Sequence, residues 1–151
     1  MSETWPDLFA AVGVHSGLAC GAASDMPSAF AAMRQGGSFA NDRASNTVPT
    51  IVFHGDRDRT VSPVNGDQII ARSQVTSGSK VVELVESGSK SRGTRTVFND
   101  ANGRSAAEHW LLHGVAHAWS GGSEAGSYTD PDGLDASREM VRFFLQHRRH
   151  D

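Results

Sequence analysis

The chain has 151 residues, 38% of them hydrophobic and 21% charged, with a formal net charge of −3. That is ordinary globular material, enough for one core and a single domain over residues 1–151. Lys and Arg are scattered, which leaves no basic footprint for nucleic acid or anionic lipid, and no apolar stretch approaches the roughly 20 residues of a membrane span.

Residues 10–15 form a short apolar run ending in Ser16-Gly17, which predicts a buried strand entering a turn. In this run's wake Cys20 is the sole cysteine, so no intrachain disulfide or cysteine-based zinc site can form, and a buried or half-buried inert thiol is expected. Residues 27–35 suit a short helix, with Pro27 in its first turn and Gly36-Gly37 beyond its end. Residues 47–53, centred on Ile51-Val52-Phe53, are the clearest strand and end at His54-Gly55. Residues 63–75 set Val64, Ile69 and Ile70 on a polar background, the pattern of a helix packed on one face. Further strands are predicted over 81–86, 95–99 and 108–113. The Gly/Ser/Lys-rich stretch 87–93 and the Asp100-Ala101-Asn102-Gly103 turn separate them. Residues 135–147 close the chain with a helix whose apolar side is Met140, Val141, Phe143, Phe144 and Leu145.

Strands alternating with helices, and strands that are apolar throughout, predict an α/β fold with a mostly parallel sheet covered by helices on both faces. Such sheets hold ligands beyond the carboxyl ends of their strands. The residues just after Phe53 and just after Leu112 are therefore the places to look for chemistry.

After Phe53 comes His54-Gly55-Asp56-Arg57-Asp58-Arg59-Thr60-Val61. Asp58 is the candidate acid of a catalytic triad, placed on a loop where it can accept the Nδ1 proton of a histidine; Asp56 competes for the role, and either carboxylate could instead cap the turn or pair with Arg57 or Arg59. After Leu112 comes His113-Gly114-Val115-Ala116-His117-Ala118-Trp119-Ser120-Gly121-Gly122. His117 is the candidate base, and Trp119 can shield its ring or line a substrate pocket. His113 and His117 are four apart, but Gly114 between them, the lack of an H-E-x-x-H run and the lack of a third ligand argue against zinc, so no metal and no cofactor is expected. His15 and His54, at strand ends, are expected to be structural groups near a pocket rim, and His109 a strand residue without chemistry.

A nucleophile in this kind of fold sits in a G-x-S-x-G elbow ahead of the acid and the histidine. None occurs. Segments 36–40, 103–107 and 121–125 have Gly-x-Ser but alanine in the last position, and Ser16, flanked by Val14 and Leu18, is expected to be a turn residue.

At residues 8–17, 54–61 and 113–122 the chain resembles esterases of the poly(3-hydroxybutyrate) depolymerase family, and Ser127-Tyr128-Thr129-Asp130-Pro131 followed by Asp135-Ala136-Ser137-Arg138-Glu139-Met140 is similar to that family's final loop and helix. The resemblance implies the C-terminal part of an α/β-hydrolase, with Asp58 as acid and His117 as base of a serine-type carboxylic ester hydrolase. Its substrates would be polyhydroxyalkanoate, feruloyl or acetylated polysaccharide esters, and its location extracellular, although the N-terminus shows no signal peptide. In the family the serine elbow precedes the segment resembled by Trp5-Pro6-Asp7-Leu8-Phe9. The first strands, the nucleophile and the oxyanion donors are thus expected to be missing, and these residues alone to be inactive. The alternative is a non-catalytic binding or assembly module that self-associates through an exposed sheet edge.

Overall fold

The computed structural model describes residues 2, 4–39, 48–73, 78–87 and 91–148. Five strands, β1 (Val12–His15), β2 (Thr50–Gly55), β3 (Lys80–Ser87), β4 (Ser91–Asn99) and β5 (Ser105–Leu112), make one sheet in the order β1-β2-β5-β4-β3. β2 is parallel to both β1 and β5, whereas β4 is antiparallel to both β5 and β3. The sheet is therefore mixed, not mostly parallel as the alternation of elements predicted. The physical reason lies in the connections. Parallel neighbours need a crossover of a dozen or more residues, and the connections from β3 to β4 and from β4 to β5 are only a few residues long. The turn between β4 and β5 is closed by the Asp100 N–H donating to the Arg104 carbonyl at 2.8 Å, with Gly103 at φ +76°.

Several element bounds also differ from the prediction. Ser91–Gly93 belong to β4 rather than to a spacer, while positions 88–90, residue 47 of the second predicted strand and residues 74–75 of the second predicted helix lie outside the described residues. A two-residue parallel pair, β6 (Trp119–Ser120) with β7 (Thr129–Asp130), was not anticipated.

The helices cover both faces, as expected. α1 (Met26–Gln35) starts at a capping box in which Asp25 accepts from the Ser28 N–H at 2.8 Å. It packs beside α2 (Val64–Arg72). On the α2 side Val52 meets Ala19 and Ile69; on the other, Ile51, Phe53, Trp110 and Leu112 meet Met140 and Phe143 of α3 (Ala136–Gln146). All six residues of β2 are buried, the signature of a strand sandwiched between helical layers. Each fully buried side chain such as Phe53 or Phe143 contributes about 1.5–3 kcal/mol. Gly13 lets α3 approach β1, since a Cβ there would come within 2.9 Å of the Met140 sulfur and the Phe144 ring.

Cys20 is exposed, not buried: it sits in the loop after β1 rather than in a strand. No helix among the described residues is long and apolar enough to cross a membrane.

Candidate active site

β2 and β5 lie side by side in parallel, so their carboxyl ends deliver two loops to the same rim of the sheet. The loops are laced together by backbone bonds. Asp56 N–H donates to the Leu112 carbonyl at 2.9 Å and Arg57 N–H to the Val115 carbonyl at 3.0 Å. Gly55 makes the crossing possible, because any Cβ there would stand 2.3 Å from the Val115 carbonyl oxygen. This is a backbone clash that no side-chain rearrangement relieves.

The lacing brings the predicted acid and base together. His117 Nδ1 lies 2.7 Å from Asp58 Oδ2, while Asp58 Oδ1 accepts the Thr60 and Val61 N–H groups at 2.9 and 2.8 Å. Burial alone would raise the pKa of Asp58, but the hydrogen bonds from His117, Val61 and Thr60 outweigh it and hold the carboxyl below its ordinary value. An ionised carboxylate facing Nδ1 fixes the Nδ1–H tautomer, which leaves Nε2 as a proton acceptor. Asp56 has other partners: His113 Nδ1 at 3.2 Å and the Gly114 N–H at 2.7 Å. His113 also meets the Thr94 hydroxyl through Nε2 at 2.9 Å. The two histidines thus answer to different carboxylates, and among the described residues no group of three or more His, Cys, Asp or Glu could hold a metal ion.

His54 is not at the rim. It is fully buried beneath the Asp58 loop and donates from Nε2 to the Val61 carbonyl at 2.8 Å, so it supports the segment whose N–H groups hold Asp58. His109 faces α2 with its Nδ1 3.7 Å from Asp67.

His117 lines a cleft of about 180 Å³ together with His15, Ser16, Ala118, Trp119 and Tyr128. The His15 ring is stacked between Phe53 and Trp119, at centroid distances of 5.9 and 4.8 Å. Its Nε2 accepts the Ser120 N–H at 3.1 Å, so in the neutral ring the proton is on Nδ1 and is donated to the Ser16 hydroxyl oxygen at 3.2 Å. Ser16 then keeps its own hydroxyl hydrogen to offer elsewhere. It is the one non-glycine among the described residues in the left-handed region, at φ +51°. Backbone strain at a cleft wall is a mark of functional geometry. His15, expected near a pocket rim, lines the cleft; Ser16, expected only as a turn residue, lines it too, and the signal available was a His-Ser-Gly triplet at the carboxyl end of a strand. Tyr128 was missed because it comes from a separate loop, brought beside Trp119 by the Trp119 N–H donating to the Tyr128 carbonyl at 2.7 Å. Trp119, expected to shield the His117 ring or line a substrate pocket, is a wall of this cleft, anchored by its Nε1 donating to the Ser137 hydroxyl at 3.1 Å.

Burial, with His54 and His117 nearby, lowers the pKa of His15 from 6.5 to about 4 against the opposing pull of Asp58. The unfolded chain binds the proton first as pH falls, so the stability due to the neutral ring is complete above pH 6.5 and is lost on the way down to about pH 4. We expect a loss on the order of 2–3 kcal/mol across that window. His109 and His147, also lowered by burial, act with the same sign. The difference between urea unfolding of the chain and of its His15→Gln variant, followed over pH, isolates the His15 part; parallel curves would show that the ring titrates normally.

The family model described as Esterase PHB depolymerase matches residues 1–94. The chain belongs to this family. The matched stretch is more than half of the sequence and includes β1, β2 and the Asp58 loop; His117 lies beyond it. No curated protein matches the chain significantly. Membership in the PHB depolymerase esterases points to ester hydrolysis.

Proposed function

We propose that this chain carries the acid–base half of a serine esterase. His117 is the general base, Asp58 the acid that orients it, and Trp119 a wall of the ester-binding subsite. The observation that carries the reading is the 2.7 Å hydrogen bond between His117 and a buried carboxylate that two backbone N–H groups hold in place. In the reaction His117 Nε2 takes the proton of a serine hydroxyl as it attacks the ester carbonyl, then passes that proton to the departing alcohol. The substrate class is a polyester such as polyhydroxyalkanoate, or an esterified polysaccharide carrying feruloyl or acetyl groups. The family resemblance takes an extracellular location with it.

No G-x-S-x-G elbow occurs in the 151 residues. The nucleophile and the oxyanion donors therefore come from sequence outside them, and these residues alone do not turn over an ester. Two measurements on the chain as it stands test this. A fluorophosphonate probe is expected to leave it unlabelled and p-nitrophenyl butyrate unhydrolysed, and nitrogen-15 NMR at neutral pH is expected to find His117 as the Nδ1–H tautomer. Robust labelling would overturn the inactive reading; an Nε2–H tautomer at His117 would overturn its assignment as the base.

A further inference from the structure

β3 is an outer strand of the sheet, and its eight residues are exposed along nearly their whole length. Val81, Val82 and Leu84 are 43%, 59% and 67% exposed. An outer strand of this length offers a row of backbone N–H and C=O groups to another strand, and uncovered apolar side chains make that pairing favourable. Side chains alternate between faces. One face of β3 therefore carries Lys80, Val82, Leu84 and Glu86, and the other Val81, Glu83 and Val85, with Glu83 bound to Arg95 of β4 at 3.0 Å.

Two copies that meet edge to edge about a two-fold axis perpendicular to the sheet run antiparallel, and every side chain keeps its face. Opposed residues must then be separated by an even number of positions, which puts the axis through a residue. With the axis at Glu83, Lys80 faces Glu86 of the second copy, Val82 faces Leu84, and on the other side of the sheet Val81 faces Val85. The row Lys-Val-Leu-Glu is its own complement when read backwards. Glu83 meets its own copy there, but each carboxylate already has an Arg95 guanidinium beside it. An axis at Val82 would set Lys80 against Leu84 and Val81 against Glu83; one at Leu84 would set Val82 against Glu86. Both place charge against apolar surface.

We propose that β3 is a homodimer interface, with a second copy of this chain adding its β3 antiparallel about Glu83, so that two five-stranded sheets become one of ten strands. The inference stands apart from the catalytic reading, since the strand is at the far side of the sheet from β1. It names the edge through which the expected self-association takes place.

Sedimentation velocity over a concentration series tests it with charge swaps at exposed positions. The chain is expected to show a reversible monomer–dimer equilibrium. Lys80→Glu sets Glu against Glu86, and Glu86→Lys sets Lys against Lys80, so each variant is expected to weaken the dimer about tenfold or more, two symmetric pairs having turned repulsive. Mixing the two variants in equal amounts is expected to restore the dimer as a heterodimer, because every opposed pair is then of unlike charge. A monomer at all concentrations, an association that ignores both swaps, open-ended aggregation, or a mixture that fails to recover would each overturn the proposal. Circular dichroism of both variants checks that the fold is retained.

Discussion

Asp58→Asn is expected to lower kcat/KM for a short acyl ester by about 10⁴-fold in the active enzyme that joins these residues to a serine nucleophile, with KM little changed. Asp58 uses one oxygen to accept the Thr60 and Val61 N–H groups and the other to accept from His117. The amide that replaces it keeps one acceptor oxygen, which the two backbone donors claim, and turns its NH₂ toward His117. A donor facing Nδ1 selects the opposite tautomer, so Nε2 acquires the hydrogen and can no longer take one from a hydroxyl. The same substitution should therefore invert the His117 tautomer in nitrogen-15 NMR of the chain alone. Asp56→Asn provides the contrast. Its partners are His113 and Gly114, so the tautomer of His117 should survive it. If Asp56→Asn erased the Nδ1–H signal and Asp58→Asn did not, the acid would have been misassigned.

That the sequence offered Asp58 and His117 as candidates follows from where they stand. Ile51-Val52-Phe53 is apolar on both faces because helices cover both, and a strand of that kind ends abruptly in a polar loop that is easy to see. The carboxyl end of β5 has the same form, so two loops of a shared rim were legible, although the choice between Asp56 and Asp58 was not. Two carboxylates two positions apart on one loop are equivalent in sequence. They differ only in which loop histidine the crossing at Gly55 sets opposite each of them. Strand direction was illegible for a similar reason. An apolar run such as Val81-Val82 carries no sign of its orientation, and β3 and β4 took the antiparallel sense because their connections are too short for anything else. His54 was misplaced because its position in the last turn of a strand resembles a rim position. Only the fold shows the Asp58 loop lying over it.

Glu108 shows the same limit most sharply, and it carries the second large effect. In sequence it is one charged residue near the start of a strand. In the fold it is fully buried in the centre of the sheet, facing α3, where Arg95 donates to it at 2.9 and 3.1 Å, Arg142 at 2.6 Å and Trp110 Nε1 at 3.1 Å. Those partners come from positions 13 residues back, 34 ahead and 2 ahead, a set that no local pattern announces. Glu108→Ala is expected to destabilise the chain by about 3 kcal/mol, the lower end of what removing one partner of a buried ion pair costs. The lower end applies because the arginines retain Glu83 and Glu139 and are partly solvated, while the Trp110 N–H is left unmatched. Glu108→Gln, which keeps the shape and one acceptor, should cost less. Burial raises the pKa of Glu108, but the hydrogen bonds and charges of Arg95 and Arg142 prevail and hold it below the usual carboxylate range. A depressed folded value means that its contribution is complete above the unfolded value and disappears as pH falls through the folded one. The acid limb of the stability curve should accordingly be shallower in Glu108→Ala than in the parent. Urea midpoints measured at neutral pH and at successive steps below pH ~4.3, the ordinary value for glutamate, separate the two outcomes. A parallel offset across that range would mean that the carboxyl titrates alike in the folded and the unfolded chain and that its two arginines do not hold it as a charge.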